Sequence, residues 1–98
     1  MTTKQLMTEK QLMAALVDVF ERFGWLVYHT FDSRRSAPGF PDLVAVKGER
    51  LLAIEVKAQD GRVTPDQRVW LSALAAVPGV ACYVVRPADD LSELVAIL

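Results

Sequence analysis

Cysteine occurs once in these 98 residues, as Cys82, and histidine once, as His29. A lone cysteine excludes an intramolecular disulfide framework, and the apolar neighbours of Cys82 place its thiol in the interior of a protein from a reducing compartment. Charge of one sign is also lacking. Lys plus Arg number 11 and Asp plus Glu 12, a net charge of −1, so the broad basic surface of an electrostatic nucleic-acid clamp is missing. No run of 18 apolar residues exists, and residues 1–7 lack the apolar stretch and cleavage site of a signal peptide. These absences predict a soluble, cytoplasmic protein with no membrane partner. The hydrophobic content of 52% suffices for one domain over residues 1–98 and leaves no room for a second core.

What is present is a clear alternation of elements. Thr8 and Gln11 form a capping-box pair, followed by Leu12, Leu16, Val19, Phe20 and Phe23 at helical spacing, which predicts a helix over 9–23. Residues 25–30 read as a strand, and 33–36 with Ala37, Pro38, Gly39 and Pro41 as a loop. Two apolar runs, 42–46 and 51–56, flank Lys47, Gly48, Glu49 and Arg50 and predict an antiparallel hairpin. Thr64, Pro65 and Gln67 supply an N-cap, a first-turn proline and a capping-box partner for a second helix, whose core side carries Val69, Leu71, Leu74 and Ala75. Pro78 and Gly79 stop it before the apolar strand 80–85, and Asp90 with Glu93 cap a short terminal helix. The fold class is α/β: a mixed four-stranded sheet flanked by helices in the order αβββαβ plus a short C-terminal helix, the last strand joining through a right-handed crossover.

The chemistry concentrates on the hairpin. Glu55 and Lys57 lie two apart, hence on one side of a strand, and Asp42 falls roughly opposite Glu55 when residues 47–50 close the turn. Two carboxylates that close repel unless a cation lies between them, and hard oxygen ligands suit Mg²⁺ or Mn²⁺. Such an ion stabilises charge on a phosphoryl centre, and an adjacent ammonium can orient or help deprotonate an attacking water, so the expected reaction is phosphodiester hydrolysis.

Pro41-Asp42, twelve intervening residues and then Glu55-Val56-Lys57 resembles the PD-(D/E)xK nuclease superfamily, with its restriction-endonuclease-like core. Thr8-Glu9, the stretch from Tyr28 to Ser36, Gly39-Phe40-Pro41-Asp42-Leu43, and Gln67 with Trp70-Leu71 look like its VRR-NUC branch, over virtually the whole chain. The resemblance implies that Asp42, Glu55 and Glu9 are metal ligands, with the Val56 carbonyl as a further one. It makes Lys57 the catalytic lysine and Gln67 a supporting residue at the site. It also implies a small stand-alone phage or bacterial protein, a homodimer acting on DNA of branched form, with Holliday-junction resolution and DNA repair or recombination as its setting.

Ser33, Arg34, Arg35 and Ser36 are the expected phosphate contacts, since guanidinium and hydroxyl groups in a loop can hold a nucleic-acid backbone. Lys47, Arg50 and Arg62, isolated in turns, read as solubilising charges. His29 reads as a polar rim residue with an accessory role as its alternative, and Trp25 and Trp70 as core or interface aromatics. The alternative functions are a nucleic-acid-binding accessory module that has lost catalysis, and a nuclease for another DNA or RNA substrate.

Overall fold

The computed structural model describes residues 6–30 and 37–98. Helix α1 (Glu9–Arg22) starts where expected: Thr8 Oγ1 accepts the Gln11 N–H at 3.1 Å, and Gln11 Oε1 accepts the Thr8 N–H at 2.9 Å. This reciprocal pair satisfies two of the free amides of the first turn. Strands β1 (Leu26–His29), β2 (Leu43–Lys47) and β3 (Arg50–Val56) follow, then α2 (Pro65–Ala75), β4 (Val80–Val85) and α3 (Ser92–Ala96). The sheet runs β1-β2-β3-β4, with the first two pairings antiparallel and β3-β4 parallel. That is the expected mixed sheet with its crossover through α2.

The two sides of the sheet have different fates. Leu43, Ala45, Leu52, Ile54, Val56 and Val85 pack with Leu12, Leu16 and Phe20 of α1 and Leu94 of α3 into the core. Phe20 is fully buried, a burial that stabilises the fold by about 2–3 kcal/mol. The opposite side carries Val44, Val46, Ala53, Glu55 and Val84, and α2 covers it only at the β3-β4 end. Over β1 and β2 it stays open, so Leu26 is 78% and Tyr28 63% exposed.

Gly48, at φ 60°, supplies the positive φ that the two-residue turn between Lys47 and Arg50 requires, and this turn fixes the hairpin register at Leu43↔Ile54.

Three expectations need correction. Val69 is 68% exposed and Ala75 exposed as well rather than core-facing, and no residue of α2 is buried, because the helix lies over the edge of the sheet and only Gln67, Trp70, Leu71 and Leu74 turn partly inward. Cys82 is half-buried rather than interior, since β4 is an edge strand; desolvation still raises its thiol pKa. Helix α3 has Leu91 at its N-cap with no side-chain cap, while Asp90 accepts the Ser92 N–H at 3.0 Å and Glu93 makes no reciprocal bond. Among the described residues no helix is long and apolar enough to cross a membrane.

Candidate active site

Continuing the β2-β3 register one step beyond Leu43↔Ile54 places Asp42 opposite Glu55. The approach to Asp42 is held against α2. Gly39, at φ 85°, lies so close to the start of that helix that a Cβ there would fall 2.4 Å from the Asp66 carbonyl carbon. Phe40 meets Trp70 edge to face with ring centroids 5.1 Å apart, and Pro41 is fully buried. Each residue of this short run therefore has a mechanical reason to be what it is. Asp42 then enters the sheet and its Oδ2 accepts the Val56 N–H at 2.9 Å, tying the head of β2 to the end of β3.

Glu55 is only 2% exposed. Its Oε1 accepts the Gln67 side-chain amide at 3.0 Å, whereas its Oε2 is buried and has no hydrogen-bond partner among the described residues. The Glu55 pKa is pushed up to about 8, chiefly by burial; Asp42 contributes through the proton that the two carboxyls could share and through its charge, the Lys57 ammonium works in the opposite direction, and the Glu9 charge adds a smaller push upward. Two carboxylates facing each other are both acceptors, so one oxygen is left without a donor unless a proton or a cation comes between them.

Gln67 both caps α2 and holds Glu55. Its Oε1 accepts the Thr64 N–H at 2.8 Å, its backbone N–H is accepted by Thr64 Oγ1 at 3.2 Å, and its Nε2 remains to hold Glu55. The two ends of one amide have different partners, and the cap locks the rotamer that reaches Glu55.

Lys57 continues β3 past its last paired residue, with its backbone N–H donating to Val85 O at 2.9 Å. Glu9, exposed in the first turn of α1, acts on Glu55 through its charge. It does not join Asp42 and Glu55 in a ligand group, for no three His, Cys, Asp or Glu side chains converge as one among the described residues. Ser33, Arg34, Arg35 and Ser36 lie outside the described residues. His29 lines a cavity of about 410 Å³ with Lys10, Met13 and Val17 of α1, on the other side of the sheet from Glu55. Trp25 is core, with the Arg50 guanidinium 4.9 Å above its ring.

The VRR-NUC domain model matches residues 3–88, a span that contains Glu9, Asp42, Glu55, Lys57 and Gln67. The chain belongs to the VRR-NUC family. It is a nuclease domain of the PD-(D/E)xK superfamily by that membership. Among solved structures, a VRR_NUC domain protein superposes with a TM-score of 0.66 at 20% identity, covering 94% of this chain and 88% of its own, a likeness of fold. The structure of Archaeoglobus fulgidus Hjc, a Holliday junction resolvase from an archaeal hyperthermophile, superposes with a TM-score of 0.53 at 28% identity, covering 84% of this chain and 68% of its own. None of the curated proteins matches the chain.

Proposed function

We propose that this VRR-NUC domain is a divalent-cation-dependent endonuclease that hydrolyses DNA phosphodiesters, acting as a homodimer on branched DNA. The observation that carries the reading is the Asp42–Glu55 pair: two carboxylates in contact, one oxygen of which is buried without a donor. That donor set fits Mg²⁺ or Mn²⁺, hard cations that take oxygen ligands and tolerate an open site. Asp42 and Glu55 would hold the ion, with the Val56 carbonyl as a further oxygen and Glu9 adding negative charge from α1. When bound, the cation supplies positive charge against the charge that develops on the phosphate during in-line displacement.

The chain's own groups do the rest. Gln67 keeps Glu55 in one orientation, so the carboxylate need not reorganise when substrate arrives. The Lys57 ammonium, near enough to Glu55 to lower its pKa, orients the attacking water and takes part in moving its proton. Burial of Glu55 keeps bulk water from screening these charges.

The branched substrate draws its support from the similarity to an archaeal Holliday junction resolvase, and the dimer from the geometry of such a substrate and from the sheet. A two-fold pair presents two sites to two strands, and the open sheet side with Leu26 and Tyr28 is apolar surface available to a second copy.

The test is cleavage of labelled duplex, flap, four-way-junction and single-stranded DNA and of RNA in Mg²⁺, Mn²⁺ or EDTA, with wild type beside Asp42→Ala and Lys57→Ala. We expect cutting of branched DNA that EDTA and either substitution abolish. Cutting that survives Asp42→Ala would refute the mechanism. Binding without cutting would instead favour an accessory module.

A further inference from the structure

The near-neutral composition hides a local asymmetry. Arg86 is distant in sequence from Arg62 and Arg68, yet all three line one groove of about 510 Å³ whose walls include Leu71, Ser72 and Val84 and no carboxylate. None of the three arginines is in an ion pair among the described residues. The Asp89 carboxylate, close in sequence to Arg86, accepts that residue's backbone N–H at 2.8 Å. Arg86 is anchored: its Nη2 donates to Gly61 O at 2.9 Å, which fixes one edge of the guanidinium and leaves other N–H groups of the fork available.

The groove adjoins the candidate active site through every element that builds it. Arg68 follows Gln67, the residue that holds Glu55. Arg86 follows Val85, whose carbonyl takes the Lys57 N–H. Arg62 lies in the segment joining Lys57 to α2, and that segment folds back until a Cβ on Gly61 would stand 3.4 Å from Lys57 Cδ. Guanidinium groups bind phosphate oxygens bidentately, Ser72 adds a hydroxyl, and the aliphatic side chains of Leu71 and Val84 suit the apolar edge of a sugar.

Resting on the nuclease reading, we propose that the Arg62–Arg68–Arg86 groove is a second binding site for the DNA phosphate backbone, holding the strand beside the scissile phosphodiester. Its role is positional. Phosphate contacts of this kind set register and carry no base information, which suits a nuclease that recognises shape rather than sequence. The groove also supplies a local basic surface that the overall charge of −1 does not suggest.

The experiment measures binding of labelled duplex and four-way-junction DNA in EDTA, where metal-dependent cutting is silent, between roughly 0.05 and 0.3 M NaCl. Wild type is compared with the exposed double variant Arg62→Gln/Arg68→Gln, with Arg86→Lys, and with Arg22→Gln as a control at the far end of α1. Loss of two phosphate contacts should lower the slope of log affinity against log salt by about 2 and weaken binding roughly 60-fold near 0.1 M salt. Arg86→Lys should weaken binding less, because charge remains while the fork is lost. Circular dichroism checks that each variant is folded. An unchanged slope in the double variant, or an equal fall in Arg22→Gln, would overturn the proposal. If wild type cuts branched DNA while the double variant keeps the wild-type slope, the groove fails and the nuclease stands. If wild type binds with the arginine-dependent slope but cuts nothing with Mg²⁺ or Mn²⁺, the nuclease reading fails and the groove stands.

Discussion

Replacing Glu55 by Gln should make the metal-free protein more stable as pH rises, while removing the candidate activity. Glu55 ionises near 8 in the folded chain against an ordinary value of 4.5. Between those values the native state binds more protons than the unfolded state, so Glu55 lowers stability progressively as pH rises through that window. At 1.36 kcal/mol per pKa unit the penalty is at most about 3 kcal/mol at pH 7 and nearly 5 kcal/mol at pH 9, and under about 1 kcal/mol at pH 5. Gln is nearly isosteric. It keeps an oxygen to accept the Gln67 amide, and it turns the partnerless Oε2 into an NH₂ that can donate to Asp42. Urea denaturation in EDTA at a series of pH values should therefore show a stability gain for Glu55→Gln that is small at pH 5 and grows to a few kcal/mol by pH 9. In Mg²⁺ the wild type should recover part of the difference at high pH, because the cation favours the carboxylate. The variant should not respond to the ion. A stability difference that stays flat between pH 5 and pH 9, or a variant less stable than wild type throughout, would refute this account of Glu55.

Other perturbations separate roles that the structure combines. Gln67→Glu preserves a capping-box partner for Thr64 but sets a carboxylate against Glu55, so helix content by circular dichroism should hold while metal-dependent cleavage falls roughly 10–100-fold; a parallel loss of helix would assign the effect to the cap. Gly39→Ala meets both a positive φ and a backbone atom at 2.4 Å, and should cost more than about 2 kcal/mol in chemical denaturation. Gly48→Ala meets a positive φ but nothing within 4 Å, and should cost only about 1 kcal/mol; equal costs would show that contact with Asp66 is immaterial. Tyr28→Lys, on the open sheet side, should shift the sedimentation coefficient from dimer to monomer without unfolding the chain; an unchanged dimer would place the interface elsewhere.

Much of the site was readable from local rules. A short turn at Gly48 sets the hairpin register, and register alone brings Asp42 opposite Glu55. Thr64 and Gln67 announce a helix start because capping chemistry acts over three residues. What escaped depends on the third dimension. Periodicity says that α2 has an apolar stripe but not how much sheet lies beneath it, so Val69 reads as core and is exposed. The same blindness hides that β4 is an edge strand, leaving Cys82 half-covered. Arg62 reads as an isolated turn charge because its companions, Arg68 and Arg86, reach it only through the parallel crossover. Gly39 could be placed in a loop, but its closeness to Asp66 depends on how that loop docks.

The double use of Gln67 has a consequence for when the protein becomes competent. Glu55 belongs to a hairpin, a local structure that forms on the microsecond scale, yet the amide that steadies it comes from a helix that must first close its opening turn and dock. During synthesis the hairpin emerges before residues 64–67 do. A nascent or partly unravelled chain thus carries its acidic residues without the partner that orients them. The same link makes the first turn of α2 a point of vulnerability, since local fraying there releases Glu55 while the rest of the sheet stays intact.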